Sequence, residues 1–97
     1  MTNVRDTLAE LVRINSVNPE WGGPGEADVA SWVRHFFEKA SIEVWEEECL
    51  PGRNNVMARL PGTDPNRRVL LEAHMDTVSA ANMDFDPFDP VIDNGRM

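Results

Sequence analysis

One stretch constrains this chain more than any other: Val69-Leu70-Leu71-Glu72-Ala73-His74-Met75-Asp76-Thr77-Val78. Its opening apolar run reads as a short buried strand, the kind found inside sheets covered on both faces. It closes on a histidine and an aspartate two positions apart, followed by β-branched Thr77 and Val78. In extended backbone, side chains at i and i+2 leave on the same side. His74 and Asp76 are therefore expected to project together from a strand end, where α/β proteins place their chemistry. A neutral imidazole binds zinc at about 2.1 Å, and a neighbouring carboxylate can accept the other ring N–H and fix the tautomer. His74 is the candidate metal ligand and Asp76 the candidate catalytic partner that holds it. The plainer alternative is a polar strand end in which His74 is merely hydrogen-bonded.

Ninety-seven residues make one small domain at most. The hydrophobic share of 41% is modest, but the apolar residues fall in runs and periodic sets, which excludes a disordered composition. A net charge of -8 argues against nucleic acid and anionic membrane surfaces as partners. The single cysteine, Cys49, leaves no internal disulfide framework and is expected to be a small buried hydrophobe in a reducing compartment. No apolar run has the length of a membrane span, and the start lacks a signal peptide's basic and apolar segments. The expected location is the cytoplasm.

Residues 2–14 read as an amphipathic helix capped by Thr2 or Asn3, with Val4, Leu8, Leu11 and Val12 on one face. Asn15, Ser16, Asn18 and Pro19 break that pattern, and Gly22-Gly23-Pro24-Gly25 predicts a loop. Residues 26–40 predict a second helix with a stripe of Ala30, Val33, Phe36, Phe37 and Ala40; His35 lies off its centre and reads as structural or solvent-facing. Residues 42–50 predict an edge strand whose Glu46-Glu47-Glu48 run is a solvated face, since successive residues of a strand point to opposite sides. A turn over Pro51-Gly52-Arg53-Asn54 and an antiparallel return strand over residues 55–60 follow. Beyond Val78, Asp84, Asp86 and Asp89 alternate with Phe and Pro. A calcium-type cluster is one reading, but no glycine and no closing glutamate stand where such a loop needs them, so turns are expected. Asn94-Gly95 predicts a tight hairpin. The expected class is α/β, with two helices plus three to four strands.

Several of these segments together resemble the zinc-dependent deacylase and exopeptidase family that includes acetylornithine deacetylase, succinyl-diaminopimelate desuccinylase, aminoacylase and carboxypeptidase G. The residues that carry the resemblance are Leu70-Leu71-Glu72-Ala73-His74-Met75-Asp76-Thr77-Val78, Asp86-Pro87-Phe88 and Val91-Ile92-Asp93-Asn94-Gly95-Arg96-Met97. Ile14-Asn15-Ser16-Val17-Asn18-Pro19 and Asn55-Val56-Met57-Ala58-Arg59-Leu60-Pro61-Gly62 support it. One departure concerns loop shape: Ser79 stands where many members have a proline soon after the Thr-Val step.

The resemblance implies that residues 1–97 are the amino-terminal portion of a single catalytic domain, the front part of a three-layer mixed-sheet zinc-peptidase-like fold. A lid domain used for homodimerisation, a bridging aspartate, a glutamate pair, another acidic ligand and a final histidine are then expected outside this stretch. His74 is implied as a ligand to one of two zinc ions (cobalt being a plausible substitute), with Asp76 clamping its ring. The implied substrate is a small N-acyl amino acid or peptide, hydrolysed at its amide bond with a glutamate as general base. The 97 residues alone are expected to be inactive. Two other readings remain open: a non-catalytic α/β interaction module, and the related zinc aminopeptidases, which also use a His-x-Asp strand end.

Overall fold

The computed structural model describes residues 3–97, and two helices and two strands, all before residue 60, make up its regular framework. Helix α1, Val4–Val12, starts where Asn3 caps it, the side-chain oxygen accepting from the Asp6 N–H at 2.9 Å. The alternative cap Thr2 lies outside the described residues. Helix α2, Ala27–Lys39, follows a loop that contains a single 3-10 turn, Pro19–Trp21. The helices are linked by the Trp32 indole N–H, which donates to Glu10 at 2.9 Å. Trp32 also stacks on Phe36, with ring centroids 5.3 Å apart.

Strands β1, Glu43–Leu50, and β2, Arg53–Arg59, form an antiparallel hairpin against α2. The turn is tighter than the sequence predicts. Gly52 adopts φ 72, so Pro51-Gly52 alone reverses the chain and Arg53 and Asn54 join β2. The register skips between Glu48 and Leu50, leaving Cys49 at a bulge, exposed rather than buried. Of the glutamate run, Glu46 accepts from the Arg34 guanidinium of α2 at 2.9 Å, while Glu47 and Glu48 face solvent. His35 is exposed on α2 and bonds the Ser31 carbonyl at 2.7 Å.

The core is small. Ala9 of α1, Val17, and Val29 and Ala30 of α2 are buried, with Ser16 among them. The predicted face of α1 is covered only in part: Leu11 and Val12 are half-buried, Val4 and Leu8 are exposed, and Ala9 is the buried position. In α2 the buried positions are Val29 and Ala30, at the edge of the predicted stripe.

The expected strand at residues 69–71 is the largest departure. Val69, Leu70 and Leu71 are 88%, 87% and 90% exposed. Among the described residues no strand is assigned to them, so the sheet has two strands rather than three or four. A single extended segment gains stability only when neighbouring strands take up its N–H and C=O groups and cover its side chains; here those groups face water. The small α/β class stands. Further along, Asp86 makes the expected turn, its carboxylate accepting from the Phe88 N–H at 2.9 Å. Asn94 and Gly95, at φ 49 and 74, close the predicted hairpin between Asp93 and Arg96.

Candidate functional site

The loop between α1 and α2 is built by side chains that imitate backbone. Asn15 accepts from the Val17 N–H at 3.0 Å, and Asn18 accepts from the Glu20 N–H at 2.8 Å, opening the Pro19–Trp21 turn. Pro19 sits at the first position of that turn, where a missing N–H costs nothing. The loop then folds back on itself, Gly23 and Gly25 donating to the carbonyls of Asn18 and Val17 at 3.2 and 2.9 Å. A Cβ on Gly23 would stand 2.0 Å from the Val17 carbonyl oxygen, so only glycine fits there.

This loop receives the far end of the 69–78 stretch. The Thr77 N–H donates to the Ser16 carbonyl at 3.0 Å and the Asn18 N–H donates to the Thr77 carbonyl at 2.9 Å, a short parallel bridge centred on Val17 and Thr77. The stretch is thus pinned at its polar end and not at its apolar beginning.

His74 and Asp76 lie immediately before that pin, and the structure brings them together. The His74 Nδ1 stands 2.7 Å from the Asp76 carbonyl oxygen and 3.1 Å from its Oδ1. Both partners are acceptors, so the proton belongs on Nδ1 and the Nε2 lone pair is left available. Among the described residues no hydrogen bond occupies Nε2, and the imidazole is 84% exposed. Asp76 is about one-third exposed at 33%, and its second oxygen accepts from the Asn18 carboxamide at 2.7 Å. That hydrogen bond, followed by the one to His74, holds the Asp76 carboxyl below its usual pKa against the opposing effect of partial burial.

A second charged group buttresses the loop. Glu26, at the N-cap of α2, makes no cap bond because both its oxygens are taken by Arg53 at the start of β2, at 2.9 and 3.0 Å. This bidentate pairing lowers the Glu26 pKa, with burial opposing, and raises that of Arg53. Beside His74 opens an apolar groove of about 910 Å³ whose lining includes Val12, Val17, Val29, Val56, Leu70 and Leu71.

As a zinc site the donor set fits in part. A solvent-facing imidazole oriented by a carboxylate suits one metal ligand, but no group of three His, Cys, Asp or Glu side chains assembles among the described residues. A catalytic zinc needs three protein ligands, so this corner supplies a fraction of one. Asn18, Glu26 and Arg53 are the residues that sequence reasoning did not single out. The Asn-Pro pair signals a turn start, but nothing local announces that its free amide reaches a residue 58 positions away.

The chain is 29% identical over 104 residues to a protein of Methanocaldococcus jannaschii named as an uncharacterised metallohydrolase. The match covers 92% of this chain and 25% of that protein, so the chain spans about a quarter of the length of the curated relative it matches. No family model and no solved structure matches the chain. Among the described residues no helix is long and apolar enough to cross a membrane.

Proposed function

We propose that this chain forms the front of the catalytic domain of a zinc-dependent amidohydrolase, a cytoplasmic enzyme that splits N-acyl or peptide amide bonds of amino acids. The observation that carries the reading is the state of His74: Nδ1 is tied to Asp76, while among the described residues nothing bonds Nε2 and the ring faces solvent. That is the form in which an imidazole coordinates a metal. Similarity to a protein named as a metallohydrolase, running along nearly the whole chain, supports the class. The narrower assignment to deacylases rests on the residues of the 70–78, 86–88 and 91–97 segments.

His74 would hold one zinc through Nε2, and Asp76 would keep the ring in one tautomer and correctly turned. Zinc, when bound in such enzymes, lowers the pKa of a coordinated water and polarises the substrate carbonyl. The remaining ligands, the general base and any dimerisation domain are assigned to sequence outside these 97 residues. The acidic character of the chain, at net -8, fits a small-molecule substrate and disfavours nucleic acid.

The test is a substrate screen on the protein expressed from its full reading frame, loaded with zinc or cobalt. N-acetylornithine, succinyl-diaminopimelate, simple N-acyl amino acids and dipeptides form the panel. Metal-dependent release of a free amine from at least one is expected. A metal-loaded protein that cleaves none of them contradicts the proposal.

A further inference from the structure

We propose that Asn18 is a positioning residue: its carboxamide N–H holds Asp76 in the orientation that Asp76 presents to His74, joining the loop after α1 to the imidazole. The inference deepens the metal-site reading and depends on it only for its catalytic consequence. The geometry is independent of any metal.

A carboxamide has two unlike ends, an oxygen that only accepts and an NH2 that only donates. Both ends of Asn18 have partners that allow a single orientation. Its Oδ1 faces the Glu20 N–H at 2.8 Å, and its Nδ2 faces the Asp76 Oδ2 at 2.7 Å. Flipping the amide would set donor against donor at Glu20 and oxygen against carboxylate at Asp76. The backbone of Asn18 is fixed as well, its N–H on the Thr77 carbonyl and its own carbonyl taking the Trp21 N–H at 2.9 Å. The amide therefore cannot shift without breaking the bridge that carries Thr77.

Asp76 depends on that amide. Its side chain is partly exposed and its contact with His74 is the longer one, 3.1 Å against 2.7 Å to Asn18. Without the amide the carboxylate can turn to solvent, leaving Nδ1 with the backbone carbonyl alone. Arg53 does not substitute, because its guanidinium is engaged through two nitrogens by Glu26. A neutral donor also has a chemical advantage here. It orients the carboxylate without cancelling its charge, so the full negative charge acts on the imidazole.

The experiment is a double-mutant cycle on the metal-free protein from its full reading frame, read by the nitrogen-15 shifts of the His74 ring at one fixed, mildly alkaline pH. Asn18→Ser keeps an acceptor for the Glu20 N–H but is too short to reach Asp76. It is expected to lower the ratio of Nδ1–H to Nε2–H tautomer by about three- to tenfold, the margin of a charge-assisted over a neutral hydrogen bond. The Thr77 amide shift stays in place. In an Asp76→Ala background the same substitution is expected to change nothing further, whereas a merely structural role would add its own effect. Should Asn18→Ser move the Thr77 amide, Asn18→Asp, which keeps both shape and cap, carries the same expectation. An unchanged tautomer ratio with the Thr77 amide in place, or an undiminished effect without the Asp76 carboxylate, overturns the proposal. No metal enters this readout, so its failure leaves the metal reading standing, and a protein that takes up no zinc leaves the cycle standing.

Discussion

Residues 3–59 and residues 60–97 are the same polymer under different rules. The first region makes its helices and hairpin from contacts close in sequence: a cap three residues away, a turn of two residues, a strand pairing with its immediate successor. The second carries the more hydrophobic strand pattern and makes no regular element at all. Its hold on the first runs through the Thr77 bridge and the Asn18–Asp76 bond. Local patterns close on themselves, whereas a central strand waits for partners that local sequence does not supply. The candidate site sits on the seam, with its imidazole in the region without helices or strands and its support in the loop between the helices.

The sharpest break in this contrast is Gly23→Ala. The added methyl collides with the Val17 carbonyl, a backbone atom that cannot move without dislodging the Thr77 bridge. A loss of about 3 kcal/mol is expected, with the Thr77 and Asn18 amides losing hydrogen-exchange protection first. Next is a paired substitution that weighs one region against the other. Ala30→Leu, at a position 2% exposed, overpacks the core and is expected to cost about 2 kcal/mol. Leu71→Ser, in the exposed run, is expected to stay within about 0.5 kcal/mol in denaturant titration of the same chain. A large cost at Leu71 would mean that the run is packed after all.

A smaller effect is expected from Arg53→Ala, which takes away the partner of both Glu26 oxygens and loosens the loop from β2. Its pH dependence has a definite sign. The folded Glu26 pKa is lowered, so the stabilisation is fully present above the ordinary glutamate range and lost as the pH falls through the lower folded value. The stability gap between wild type and Arg53→Ala should therefore shrink as the pH falls below the ordinary glutamate range. A gap that widens on acidification would reverse the assignment.

How much was legible in the sequence follows the same divide. Both helices, the hairpin, the Asp86 turn and the Asn94-Gly95 reversal rest on spacings of a few residues, and local propensity suffices to read them. The placement of Arg53 was missed because Gly52 completes the turn one step early, and that decides which residue meets Glu26. The Val69-Leu70-Leu71 run is apolar as its pattern says but exposed rather than buried, because pattern records what a segment can bury and not what is present to bury it. The juxtaposition of His74 and Asp76 follows from their spacing by two even without a strand. Asn18's hold on Asp76 was invisible, since no periodicity links positions 58 apart.

Whether His74 ligates a metal is decided by metal content measured together with turnover. The protein from its full reading frame is compared with its His74→Ala variant, each reconstituted with zinc and freed of excess. The expected result is loss of bound zinc in the variant together with loss of amide hydrolysis. A variant that holds as much zinc as the wild type and turns over at the same rate would contradict it.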